Sequence, residues 1–286
     1  MHLDRTRRQT AAYILERACP SGGFCFYRLD EPTPHDTYYA LASLEILGVS
    51  HASGRTAAFL RSLQDADGSF GPLPRTYFTL LSLGLLGVPP VHDPGKAVAA
   101  LLRQVLASNR PPRPFQAQTY RDKDRACALS TATGLRLEPA MIDALQAMAL
   151  RYGHPDGGFG VDGPSLDETR AAVSALGRIG RPPEPRGLAA FVRSCEDSTF
   201  GFTGKPGSSL PYLEYIHAGV CLCAALGTQP AFAAACGETV LRCRKASGGF
   251  ARTETGIATL ENTSLALQAL ACLNHGETKR GIATPP

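Results

Sequence analysis

The chain alternates between two kinds of apolar stretch. In one kind, apolar and small residues run almost all round a helical wheel, as in ALASLEIL from Ala40, LLSLGLLG up to Gly87 and AAVSALGRI from Ala171. A helix without a polar stripe is a buried helix. In the other kind, apolar residues recur at helical spacing on one side only, over 55–63, 95–106, 139–150 and 231–242. Such stretches pack on one face and meet water on the other. The N-terminus belongs to the second kind, an amphipathic helix carrying Arg7, Arg8, Glu16 and Arg17.

A Gly-rich turn with an aromatic ring precedes each buried stretch. Gly22-Gly23-Phe24, Asp67-Gly68-Ser69-Phe70-Gly71, Asp156-Gly157-Gly158-Phe159-Gly160, Phe200-Gly201-Phe202 and Gly248-Gly249-Phe250 are such turns, and a degraded copy runs from Phe115 through Asp122, Asp124 and Cys127. The buried stretches end near residues 48, 87, 134, 180, 227 and 274, spaced 39, 47, 46, 47 and 47 apart. Their terminal glycines suit a left-handed helix cap. Six units with a period of about 47 fall in the length range of two-helix repeats. The Pro-rich stretches 88–94, 111–114 and 182–185 connect units and are too short for domain linkers, so 1–286 reads as one domain. An open solenoid needs polar caps on its terminal repeats, whereas here the end units are as apolar as the middle ones. The pattern therefore predicts an all-α fold: an (α/α)6 barrel, or toroid, of six helical hairpins around a central cavity.

Composition narrows the function. Of the 286 residues 44% are hydrophobic and 19% charged, as in a globular chain with a large core. A net charge of +4 is too small to point to nucleic acid. No apolar run reaches the ~18 residues of a spanning helix, and the N-terminus lacks the uninterrupted apolar core of a signal peptide. A cytoplasmic location is expected. The nine cysteines, odd in number and without a CxxC pair, read as small buried side chains in a reducing compartment. Phosphate-loop, GxSxG and HExxH motifs are absent from the sequence.

Candidate chemistry sits where buried helices begin. Only the fourth unit, at Ser165-Leu166-Asp167-Glu168-Thr169, places two adjacent carboxylates there. Carboxylates in a first turn often cap it. A carboxyl buried beside a second one in an apolar barrel is also held protonated, as an acid must be, and Ser165 could orient it. His35 and Asp36 in the first unit, and Glu261 in the last, hold the equivalent place. Tyr38, Tyr39, Tyr77, Phe78, Tyr120, Tyr212 and Tyr215 lie near helix starts, where ring faces either stabilise cations or pack the core. His217 lies close to Tyr212 and Tyr215.

The repeats resemble those of the terpenoid cyclase and protein prenyltransferase toroids, over about residues 5–275. Gln64-Asp65-Ala66-Asp67-Gly68-Ser69-Phe70-Gly71 is similar to the QxxDGSW motif of squalene–hopene cyclases, with Phe for Trp. Cys195-Glu196-Asp197 followed by GFTGKPG is similar to the C-x-D and GGF-x-x-[KR]-PG segment of prenyltransferase β subunits. The resemblance implies an isoprenoid small molecule as substrate. In class II terpene cyclases the acid motif is DxDDT, which falls on 165–169. Asp167 then stands for the alkene-protonating Asp, Glu168 and Thr169 follow it, and Ser165 replaces the first Asp. That implies a terpene cyclase-like enzyme needing no cofactor. Its catalytic set is Asp167, Glu168, Ser165 and Thr169, and the other residues named above surround the substrate. The resemblance equally implies a prenyltransferase β-subunit-like protein using zinc or magnesium, served by Arg75, Arg121, Arg125 and Arg170 near helix starts. The family's zinc pattern asks for Asp-x-Cys and a later His. This chain offers Ser165, Asp167 and Tyr215, with His217 two residues on, so no metal is expected there. A non-catalytic isoprenoid-binding toroid is the third reading. Besides the isoprenoid, a peripheral membrane surface is a partner to test, and nucleic acid is not.

Overall fold

The computed structural model describes residues 2–51, 53–106 and 118–275. Phe115 and the 111–114 connector lie outside the described residues. The helices come in pairs, an amphipathic one first. These are α1 (His2–Leu15) and α2 (Pro34–Ile46), α3 (Gly54–Ser62) and α4 (Leu73–Leu85), α5 (Gly95–Leu106) and α6 (Gln118–Thr133). Then follow α7 (Pro139–Tyr152) and α8 (Leu166–Arg178), α9 (Pro185–Ser194) and α10 (Leu213–Ala225), α11 (Ala233–Arg242) and α12 (Leu260–His275). The strands are two-residue antiparallel pairs, β1 (Glu196–Asp197) with β2 (Gly201–Phe202) and β3 (Phe250–Ala251) with β4 (Ala258–Thr259). Among the described residues no helix is long and apolar enough to cross a membrane.

Gly48, Gly87, Gly134, Gly180 and Gly227 end their helices with φ between +65° and +71°. The sixth repeat departs from this, because α12 runs through Asn274 to His275. A residue with a Cβ pays to enter the left-handed region, and the helix continues instead.

The chain divides into two compact units, Met1–Ala97 with Val240–Ala271, and Val98–Thr239 with Cys272–Pro286. In the first unit, Tyr13, Ile14, Phe24, Leu44 and Leu260 are buried in one cluster that ties α1, α2 and the last repeat together. Each such side chain contributes roughly 1.5–3 kcal/mol on burial. The turn of the sixth repeat docks on α1. Thr10 Oγ1 donates to the Gly248 carbonyl at 2.8 Å, and Gln9 Nε2 donates to the Ala246 carbonyl at 3.0 Å. A Cβ on Gly248, at φ +96°, would lie 2.4 Å from the Gln9 oxygen, and Gly249 lies flat on the Tyr13 ring. The first repeat meets α3 in the same way, Gly22 against the Arg55 carbonyl and Gly23 against the Phe59 ring. The last repeat thus uses the first helix as its next neighbour, which an open superhelix could not do.

In the second unit α8 packs against both α6 and α10. Ala171, Ala172 and Ala175 are buried along α8 and allow close approach. Tyr120, Phe159 and Leu176 join Ala171 and Ala172 in a core cluster. The turn contact recurs, with Gly157 against Gly187 and Gly158 against the Phe191 ring.

Candidate functional site

The first turn of the even-numbered helices is used in a repeated way. Thr33, Ser165 and Thr259 cap α2, α8 and α12. Their side-chain oxygens accept from the backbone N–H of Asp36, Glu168 and Asn262 at 3.0, 3.4 and 3.0 Å. Four residues after each cap stands a buried threonine. Thr37, Thr169 and Thr263 accept the N–H of Phe24, Phe159 and Phe250 at 3.0, 2.9 and 3.0 Å. Three residues after the cap, Asp36 and Glu168 accept the N–H of Phe26 and Val161 at 3.0 and 3.4 Å. These bonds pin the Gly-rich turn to the helix it precedes. Ser165, Glu168 and Thr169 therefore hold scaffold positions that other repeats fill with similar residues. Burial pushes the Glu168 carboxyl up, against the bonds from Val161 and Ser165, and Asp167 adds to the rise.

The second residue after the cap carries no such duty. It is His35 in α2, Asp167 in α8 and Glu261 in α12. Counting back from the helix end places Arg121 and Glu214 at the same point in α6 and α10. Three, seven and eleven residues further on, the same helical face continues.

In the second unit this face of α6 and α8 is ionic. Arg121 Nη2 donates to Asp167 Oδ2 at 2.9 Å, with the two side chains 39% and 20% exposed. Asp124 serves three partners. Ser174 Oγ donates to it at 2.6 Å, Arg178 Nε lies 3.6 Å away and Arg170 Nη1 3.8 Å away. Burial works against the charge of Arg170, but Asp124 and Asp167 more than offset it and its pKa is raised. Yet Arg170 keeps 24% of its side chain accessible. The Nε–H groups of Arg170 and Arg178 have no hydrogen-bond partner among the described residues. Arg125 pairs with Asp122 at 3.4 Å, while burial pushes Asp122 up against that attraction. Lys123 fills the threonine position and donates to the Val105 and Leu106 carbonyls.

Asp167, the residue set out as an acid by the motif, is held here by the Arg121 guanidinium. Farther along the unit, His217 is buried with Nε2 3.4 Å from Cys221 Sγ. The bond with Cys272 and burial push the Cys221 thiol up. Tyr212 and Tyr215 face one another at 5.5 Å, and the Tyr215 ring covers Gly204. Tyr120 is a core residue, its ring edge-on to Phe159 at 6.0 Å and its hydroxyl pushed up by burial.

In the first unit the same face is aromatic and acidic. His35, Tyr38, Tyr39, Tyr77 and Phe78 form a network of ring contacts between 4.9 and 5.9 Å. Glu261 joins it through the Tyr39 hydroxyl at 3.3 Å. Arg75 turns away, donating to the Leu63 carbonyl at 3.1 Å. Among the described residues no group of three or more His, Cys, Asp or Glu is arranged to hold a metal ion.

Residues 2–75 and 215–282 match the sequence model of the family described as Prenyltransferase alpha-alpha toroid domain. The fold is similar to that of Candida albicans protein geranylgeranyltransferase-I complexed with GGPP, with a TM-score of 0.64 over 85% of each chain at 14% identity. The chain has the α/α toroid fold of the prenyltransferase and terpenoid cyclase superfamily. No curated protein matches the toroid's sequence. Arg121, Arg125, Arg170 and Asp167 stand out in the sequence, whereas Asp124, Ser174 and Arg178, which complete the ionic face, do not. The signal was present: Asp167, Arg170, Ser174 and Arg178 follow the three-, four- and four-residue steps of one helical face.

Proposed function

We propose that the toroid is a prenyltransferase-like enzyme that binds an isoprenoid diphosphate through the ionic face of α6 and α8. The observation that carries this reading is a surplus of cations there. Arg121, Arg125, Arg170 and Arg178 stand there with Asp122, Asp124 and Asp167, four guanidiniums to three carboxylates, and the Arg170 Nε–H has no hydrogen-bond partner among the described residues. Guanidinium groups with spare donors suit the paired oxygens of a phosphate. The similarity to a geranylgeranyltransferase complexed with GGPP supports the same substrate class. Calorimetry with geranylgeranyl diphosphate and geranylgeraniol tests it. The diphosphate should bind at least about tenfold more tightly than the alcohol, since charge-assisted bonds contribute roughly 1.5–3 kcal/mol each. Arg170→Met and Arg178→Met should each remove most of that preference. Equal binding of the alcohol, or variants that bind like the parent, would sink the reading.

Protonation-started cyclisation is the second reading, and one observation favours it: burial holds the Glu168 carboxyl toward its neutral form. The acid would then be Glu168 rather than Asp167. Turnover of a polyene lacking diphosphate, lost in Glu168→Gln with the fold intact, would support it.

A further inference from the structure

The proposed function leaves the cysteines unused. All nine are free thiols, and seven of them are buried. Cys221 and Cys272 are the other two, each half-buried. These two are also in contact. The thiol of Cys221, on α10, is hydrogen-bonded to that of Cys272, in the last turn of α12. Both residues belong to the second compact unit. One turn back along α10, the buried His217 places its Nε2 3.4 Å from Cys221 Sγ. The charge of Arg170, on α8, also acts on this thiol.

A thiol reacts as its thiolate, and burial in apolar surroundings holds it protonated. The bond to Cys272 and burial push the Cys221 thiol up, while the Arg170 charge pulls it down. His217 Nε2 is placed to take the Cys221 proton, the step that burial makes hard. The second thiol decides what oxidation yields. A sulfenic acid with a thiol in reach closes to a disulfide, whereas an isolated one is open to further oxidation. The chain therefore packs seven cysteines away as small apolar side chains. It sets the other two against each other where both residues keep part of their surface in solvent.

We propose that Cys221 and Cys272 are an oxidisable pair, which hydrogen peroxide converts to a disulfide joining α10 to the last turn of α12. The Cys221 proton passes to His217 Nε2. The thiolate sulfur attacks a peroxide oxygen, and the oxygen–oxygen bond breaks with its electron pair on the leaving oxygen. Cys221 is then the sulfenic acid, and the hydroxide released takes the proton from His217 and becomes water. The Cys272 sulfur attacks the Cys221 sulfur, the sulfur–oxygen bond breaks, and the hydroxide that leaves takes the Cys272 proton as a second water. Two thiols are oxidised to one disulfide, and one peroxide is reduced to two waters. A dithiol reductant reopens the bond by exchange.

The test uses the full chain, reduced with dithiothreitol, freed of it by gel filtration and treated with hydrogen peroxide in its folded state. Remaining thiols are alkylated in denaturant, and the digest is mapped by mass spectrometry. The parent should yield Cys221 joined to Cys272, lighter by two hydrogens, with the seven buried thiols alkylated. Dithiothreitol should remove the link. Cys272→Ser should form no link, and dimedone should trap a sulfenic acid on its Cys221. His217→Gln should form the link about tenfold or more slowly, the change that one pKa unit makes to a thiolate fraction. A link formed as fast in His217→Gln would remove His217 from the proton transfer. The parent's own map decides the pairing whether or not a variant folds. If Cys221 and Cys272 stay free while buried cysteines oxidise, or if either joins another cysteine, the proposal is overturned. The diphosphate reading stands or falls separately.

Discussion

Thr169→Val separates the two meanings of the fourth repeat. Thr169 is fully buried, accepts the Phe159 N–H at 2.9 Å and lies with its hydroxyl 3.3 Å from the Phe159 carbonyl. Valine keeps the volume, so no cavity opens, and the loss is that of the hydroxyl. The Phe159 N–H is then buried without a partner, which costs roughly 1–3 kcal/mol. At about 2–4 °C per kcal/mol for chains of this order, the melting temperature should fall by about 2–12 °C. Thr37→Val and Thr263→Val remove the same bond to Phe24 and Phe250 and should cost similar amounts. Melting followed by circular dichroism measures all three. If Thr169→Val melts with the parent while the other two fall, the threonine is not a scaffold residue in this repeat and the motif reading gains.

The turns supply a second test. A Cβ on Gly157, at φ +90°, would lie 2.1 Å from the Gly187 carbonyl carbon, whereas one on Gly180 meets nothing within 4 Å. Gly157→Ala should therefore lower the melting temperature well beyond Gly180→Ala, which bears only the left-handed strain of about 1–2 kcal/mol. Glu168 has its folded-state pKa raised by burial. Its contribution to stability is full below the unfolded carboxylate value and is lost as pH rises through the folded one. Glu168→Gln should therefore gain stability relative to the parent as pH rises above about 4.3, and a gap that shrinks instead would contradict the shift. Asp124→Asn leaves Arg170 and Arg178 without their shared charge. It should destabilise the fold by about 1–3 kcal/mol, a discounted value for a partly solvated site, and added inorganic diphosphate should recover part of the loss in a melting assay.

The hairpins were legible because period, glycine caps and apolar patterning all agree. Helix 95–106 was bounded to the residue, and closure was read from the apolar end repeats and is seen in Gly248 on α1. The site was less legible. A motif match draws attention to Ser165 and Thr169, yet these types recur because any such turn needs a cap and an anchor for the ring residue. What distinguishes one repeat from another is the second residue after the cap and the face that follows it. Asp124 and Arg178 lay outside the motif and were visible only by carrying one helical face through every repeat. The pairing of Arg121 with Asp167 needed coordinates, since residues 46 apart in sequence meet only through the packing of α6 on α8.

On the proposed function the arginine face of α6 and α8 receives a diphosphate. A crystal structure of the toroid with a non-hydrolysable geranylgeranyl diphosphate analogue tests it most directly. Phosphate oxygens should lie within hydrogen-bond distance of Arg170 and of Arg121 or Arg178. A diphosphate seated away from these arginines, or a polyene with its terminal double bond against a protonated Glu168, would contradict it.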